Sequence, residues 1–197
     1  MRNILTQTLP TKIQTENGIF EPATDFRASV EFEIMVENGE QDIFTLLRPY
    51  YPNGFPKDHE AQAAEAALWF YMCGDEIKKD EFKTAKRTKR AYSFAKDAET
   101  IYSDFSRYYN IDLTSAPLHW WKFRALLAGL PTDSAFKERI YYRTCDLKGL
   151  SKKEQKRIAE IRKEIAIEEK KENKITLAQR DEQMLDYVAK RSNEMRG

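Results

Sequence analysis

Residues Leu118 to Leu130, reading LHWWKFRALLAGL, constrain the fold of this chain more than any other stretch. Two adjacent tryptophans, a phenylalanine and a run of leucines and alanines are interrupted by His119, Lys122 and Arg124. At the helical repeat, positions 118, 121, 125 and 128 form one apolar stripe, while 120, 123, 126, 127 and 130 cover most of the remaining surface. A helix that is apolar nearly all round belongs in the centre of a domain, so this segment is expected to organise the core.

The rest of the chain reads as helices separated by short, punctuated loops. Its glycines, at 18, 39, 54, 74, 129, 149 and 197, fall where segments end. Near the amino terminus, Thr11–Thr15 and Gly18–Ala23 flank Glu16, Asn17 and Gly18, and Asn-Gly is a strong hairpin signal. Pro22 ends the second strand or holds it at an edge. Thr24 or Asp25 caps a first helix with Phe26, Val30, Ile34 and Met35 inward, and Asn38-Gly39 stops it. A second helix spans about Gln41–Arg48 and ends at Pro49, before the irregular loop PYYPNGFP. A third spans about Asp58–Cys73 with Gly74 as its carboxy-terminal cap, and its alanines at 61, 63, 64, 66 and 67 permit close approach of other helices.

Ile77–Arg90 then holds seven Lys or Arg against two acids and reads as a solvated basic connector over about 75–91. Helical spacing resumes from Ser93 to Tyr109, with Phe94, Ala98, Ile101, Phe105 and Tyr108 on one stripe and Asn110 as a stop. Thr114 or Ser115 caps the central helix, with Pro117 in its first turn. Another helix begins near Thr132 or Asp133 and carries Phe136, Ile140 and Tyr141 inward. The last segment differs. Ser151-Lys152-Lys153-Glu154 is a capping-box pattern opening a narrow seam of Ile158, Ile161 and Ile165. After the apolar-free run EEKKENK, Thr176 caps a final helix carrying Leu177, Met184, Val188 and Met195.

These elements predict a mainly α fold: a compact helical body of about six helices over residues 1–149, with a small amino-terminal β-hairpin, and a charged helical tail over 150–197. A chain of 197 residues is long enough to bury a core of that size. Charged residues make up 33% of the chain yet cancel to a net +1, which argues against wholesale nucleic-acid binding. Cys73 and Cys145 are read as free thiols in a reducing compartment. No apolar run approaches the roughly 20 residues that span a membrane, so a soluble protein, in the cytoplasm of the cell that makes it, is expected.

Chemistry-bearing motifs are scarce. His59 and His119 have no second histidine, cysteine or carboxylate at metal-ligand spacing, so no metal and no cofactor is expected. For His119, beside two tryptophans, a hydrogen-bonded histidine at the core or its boundary is the simpler reading. Phosphate-loop, nucleophile-elbow and zinc-protease patterns are missing, so no catalysis is expected. The basic stretch Lys78–Arg90, followed by Tyr92 and Phe94, keeps a nucleic-acid reading open, with Lys86, Arg87, Lys89 and Arg90 as the electrostatic contacts. The aromatics nearby also fit the helix stripe that follows. Trp120 and Trp121 are separated by about 100° on one helix, so one can point inward while the other faces a groove or partner.

Several of these blocks together resemble the bacteriophage Gp-fifteen family of long-tailed phages and prophages of Gram-positive bacteria. The matching residues are Thr24-Asp25-Phe26-Arg27, the block EAALWFYMCG from Glu65 to Gly74, and Tyr92 through Asp97-Ala98 to Ile101-Tyr102. They continue with Ile111-Asp112-Leu113, LHWWKFRAL from Leu118 to Leu126, and Tyr142-Arg143 with Asp146-Leu147. The resemblance covers about residues 20–150, and its specificity lies in the two aromatic blocks at this separation.

By gene position, the resemblance implies a tail assembly chaperone. Such a protein binds the long, helical tape-measure protein, helps recruit tail-tube subunits and acts in the host cytoplasm without catalysis. Helix-in-groove recognition would suit that partner, with Trp69, Tyr71, Trp120, Trp121, Phe123 and Arg124 as candidate contacts. Self-association into a homo-oligomer stays open. Two alternatives remain at this point: a permanent tail or connector subunit of the virion, and a nucleic-acid-binding phage protein acting through residues 77–90.

Overall fold

Short polar side chains set where most helices start. Asp25, Asp42, Ser93, Ser134 and Ser151 each sit at an amino-terminal cap, and each accepts a hydrogen bond from a first-turn amide of the helix that follows. The computed structural model describes residues 4–15, 18–75 and 90–168. The hairpin turn at 16–17, Lys86, Arg87 and Lys89, the rest of the basic connector except Asp75, Arg90 and Ala91, and the expected helix after Thr176 lie outside the described residues. Among those described, seven α-helices and one two-stranded hairpin make a mainly α fold.

The chain divides into two compact units. The described part of the first comprises 4–15, 18–75 and His119–Trp121; that of the second comprises 90–118 and 122–168. In the first unit, β1 (Ile13–Thr15) pairs antiparallel with β2 (Gly18–Phe20), Ile13 opposite Phe20. Alternation buries that pair and leaves Gln14 and Ile19 outside. Helix α1 (Phe26–Glu37) follows, then α2 (Ile43–Leu47), a 3-10 turn (Arg48–Tyr50) that accommodates Pro49, and α3 (Glu60–Tyr71).

The inward face of α1 differs from the expected one. Phe26, Ala28, Ser29, Phe32 and Glu33 are buried, whereas Val30, Ile34 and Met35 are only half-buried. Two polar residues can sit inside because tyrosines meet them: Tyr50 Oη donates to Ser29 Oγ at 2.8 Å, and Tyr71 Oη donates to the Glu33 carboxylate. Tyr51 is satisfied similarly, donating to the Ala63 carbonyl at 2.7 Å, and burial pushes its phenol pKa up.

Helix α3 is buried along most of its length, with Glu65 its exposed position. Ala61, Ala63, Ala64, Ala66, Ala67, Leu68 and Phe70 are each at most 2% exposed. Methyl-sized side chains let neighbouring backbone approach on several sides, so the alanines do the packing rather than lining a groove.

The second unit contains α4 (Phe94–Tyr109), the part of α5 (Trp120–Ala128) from Lys122 onward, α6 (Ala135–Thr144) and α7 (Lys152–Glu164). Asn110, in the left-handed region at φ 53°, terminates α4 as expected. The start of α5 is later than the sequence indicated. Asp112 accepts from Thr114 and Ser115 in a turn of its own, and His119 forms an isolated antiparallel bridge with Asp25. Extended backbone at His119 delays the helix to Trp120. Nor is α5 buried all round: Trp120, Trp121, Phe123 and Leu127 are inside, while Lys122, Arg124, Ala125 and Ala128 are exposed.

Phe94, Ile101, Phe105, Phe123, Leu127 and Phe136 form the core of the second unit, with Phe105 stacked on Phe123 at 5.1 Å. On α4 the buried stripe runs through Asp97, Thr100 and Asp104, while Ala98 is exposed and Tyr108 half-buried. On α6, Phe136 is buried as expected and Ile140 half-buried, but Tyr141 is exposed and Arg143 is buried. The Ser151 capping box forms as predicted. Its hydroxyl and amide, bonded to Glu154, hold that carboxyl below its ordinary range, and Ile158 supplies the buried contact of α7.

Candidate functional site

The aromatic block of α3 and the tryptophan pair assemble around the carboxy-terminal end of α3. Helix ends leave carbonyls without intrahelical donors. Here the indoles supply them: Trp120 Nε1 donates to the Tyr71 carbonyl at 2.7 Å, and Trp121 Nε1 donates to the Phe70 carbonyl at 2.8 Å. The same side chains stack, Tyr71 on Trp120 at 5.9 Å and 14°, Phe70 on Trp121 at 6.1 Å and 29°. Both tryptophans therefore face inward, at 2% and 6% exposure.

His119 closes the cluster. Its Nδ1 accepts from the Trp121 amide at 3.1 Å and its Nε2 lies 3.1 Å from the Pro10 carbonyl, an arrangement satisfied by the neutral ring protonated on Nε2. Phe70 meets the imidazole edge-on at 5.2 Å. With both nitrogens engaged in holding the chain, the ring serves as a structural strut.

The chain leaves α3 through two successive positive-φ residues, Cys73 at 61° and Gly74 at 77°. The Gly74 amide donates back to the Trp69 carbonyl and the Cys73 amide to Phe70, both at 3.0 Å, the double bond pattern of a Schellman ending. A Cβ on Gly74 would lie 3.0 Å from Trp69 Cζ2 and 3.3 Å from Trp121 Cη2. Glycine is needed here on both counts.

The ten candidate contact residues are thus placed very differently. Trp120 and Trp121 are core of the first unit and Phe123 is core of the second. Trp69 and Tyr71 are half-buried in the first unit, and Arg124 is exposed in the second. Arg90 is half-buried, while Lys86, Arg87 and Lys89 lie outside the described residues.

Sequence reasoning missed the most strongly polarised cluster. Asp97, fully buried, receives Arg143 Nη1 and Nη2 at 2.6 and 2.8 Å, Arg139 Nη1 at 3.1 Å and the Ser93 amide at 3.0 Å. Burial pushes the carboxyl pKa up, but the bonds and charge of Arg143, the Ser93 amide and Arg139 outweigh it and hold the group below its ordinary range. Asp104 is also buried and accepts from the Phe136 amide at 2.8 Å, at the start of α6. The 94, 97, 101, 104 spacing was the available signal, since alternating steps of three and four keep residues on one helix face.

These groups bind backbone and one another. Among the described residues, no group of three or more His, Cys, Asp or Glu side chains gathers to hold a metal ion, and no helix is long and apolar enough to cross a membrane. A shallow groove of about 420 Å³ in the first unit is lined by Phe44, Arg48, Tyr51 and Phe55, among others. The family described as Bacteriophage Gp15 protein matches residues 5–167, which include both aromatic blocks and the Asp97–Arg143 pair. No curated protein and no solved structure matches the chain.

Proposed function

This chain belongs to the Bacteriophage Gp15 protein family, and from its place among phage structural or morphogenesis proteins we propose that it is a tail assembly chaperone. In this role it binds the tape-measure protein in the host cytoplasm, keeps that long helical chain soluble and helps recruit tail-tube subunits, without catalysis. The family match carries the reading. Supporting it, the polar groups described above are engaged in holding the fold, so function falls to surfaces, where an extended apolar helix would be met by half-exposed aromatic residues.

In the first unit we assign that contact to Trp69 and Tyr71, which are half-buried beside the buried tryptophans. In the second, we assign a contact to the exposed Arg124, whose charge suits acidic residues of a partner. Trp120, Trp121 and Phe123 act indirectly, by fixing the surfaces beside them.

Co-expression with the cognate tape-measure protein tests the proposal. The expected result is a larger soluble fraction of tape measure and a complex that co-purifies, both reduced by Trp69→Ala in a chain that stays folded by circular dichroism. Unchanged tape-measure solubility would reject the chaperone role. Stoichiometric amounts of this protein in purified mature particles, measured by mass spectrometry, would instead identify a permanent virion subunit.

A further inference from the structure

The two units carry unequal charge. The described residues of the first include eleven Asp or Glu against four Lys or Arg; those of the second include eleven against fifteen. Much of the positive excess lies on α7. Lys152, Lys153, Lys156 and Arg157 are all exposed there, and none forms an ion pair with a described residue. Glu154, the acid among them, is occupied by its bonds to Ser151. Lys152 with Lys156, and Lys153 with Arg157, are like-charged i,i+4 neighbours, which oppose the helix unless a partner neutralises them.

A matching surface exists on the same molecule. Between Arg27 and Arg48 the first unit has Glu31, Glu37, Glu40 and Asp42 outside its core, with Glu33 buried, and no Lys or Arg. Glu31, Glu40 and Asp42 are exposed and pair with no described cation. We propose that the cationic face of α7 docks on the acidic α1–α2 region of a second copy of this chain. At a net charge of +1 the copies do not repel as wholes, while the local surfaces attract. The inference stands apart from tape-measure binding.

Sedimentation velocity on the full chain tests it. Self-association is expected at about 50 mM salt and should weaken by about tenfold or more at about 500 mM, where screening is short-ranged. Reversing α7 (Lys152→Glu, Lys153→Glu, Lys156→Glu and Arg157→Glu) should abolish it, as should Glu31→Lys with Glu37→Lys. Mixing the two folded variants should restore a complex, since each then offers what the other lacks. A chain that is monomeric at low salt, association indifferent to both reversals, or failure of the mixed pair to associate would overturn the proposal. So would a salt-sensitive complex of α7 with a single-stranded oligonucleotide that displaces no second copy, which would assign the cations to nucleic acid.

Discussion

Arg143 lays both terminal nitrogens of its guanidinium across the Asp97 carboxylate, at 2.6 and 2.8 Å, with Asp97 fully buried and Arg143 nearly so. The same arginine donates through Nε to the Ile165 carbonyl at 2.8 Å and through Nη1 to Ala91 at 3.2 Å. One side chain thus fastens α6 to α4, to the segment entering α4 and to the end of α7. Arg162 on α7 returns the favour to α6, donating to the carbonyls of Tyr142 and Cys145. Two helices cap each other's carboxy-terminal ends.

Removing the arginine strands a buried carboxylate. Arg143→Ala is expected to lower stability by about 3–5 kcal/mol, the usual cost of breaking a buried pair on one side. Arg143→Lys should recover only a minor part, because an ammonium cannot bond both oxygens in a plane and also reach Ile165. Urea unfolding followed by circular dichroism measures both. Equal stability of Arg143→Lys and the unmodified chain would mean that charge alone, rather than the fork, holds the site.

The same pair sets an acid limit. The Asp97 carboxyl is held below the range it has in the unfolded chain, near 3.9 for an ordinary aspartate. Between those two values the unfolded state binds the proton and the folded state does not, so stability falls as pH falls. The contribution is complete above the unfolded value and disappears as pH drops through the folded one. Urea midpoints measured from pH 7 down to pH 2 should therefore decline most steeply below about pH 4. Asp97→Asn should start lower at pH 7 and decline less, since its amide does not titrate. Parallel curves for the two proteins would remove Asp97 from the acid transition.

Gly74 makes a separate demand on the first unit. Gly74→Ala places a side chain at φ 77° and pushes a methyl against Trp69 and Trp121. The backbone alone should cost about 1–2 kcal/mol, with a further loss if the rings cannot give way. Trp69 is half-buried and Trp121 buried, so the emission of Trp69 should shift the more. An unchanged unfolding midpoint and unchanged emission would show that the turn tolerates a side chain.

What the sequence disclosed, and what it hid, follows from how far each signal reaches along the chain. Caps and stops are local, so Asp25, Ser93, Asn110 and the Ser151–Glu154 box could be read directly. The inward turn of Glu33, Asp97, Asp104 and Arg143 could not. Each depends on a partner many residues away: Tyr71 for Glu33, Arg143 for Asp97, the start of α6 for Asp104. A charged residue in an amphipathic pattern defaults to the solvent face until that partner is known. The aromatic block at 118–130 misled for a related reason. His119 spends its backbone on a bridge to Asp25, and the indole N–H groups that make Trp120 and Trp121 fit their positions point at carbonyls of α3.

Those two indole bonds can be separated from the area the rings bury. Trp120→Phe and Trp121→Phe keep most of the apolar contact and delete one donor each, leaving the Tyr71 or Phe70 carbonyl short of a bond. A buried acceptor so stranded costs about 1–3 kcal/mol. Trp121→Phe should fall at the lower end, because the Phe70 carbonyl keeps the Cys73 amide at 3.0 Å. The alanine variants lose the ring as well and should cost about 3–5 kcal/mol each. Urea unfolding read by circular dichroism avoids the fluorescence lost with the indole. If the phenylalanine variants remain as stable as the parent, stacking on Phe70 and Tyr71 carries the cluster. If they lose stability yet still hold tape measure in the folded state, the tryptophan pair is a structural support, and recognition lies with Trp69 and Tyr71 at its exposed edge.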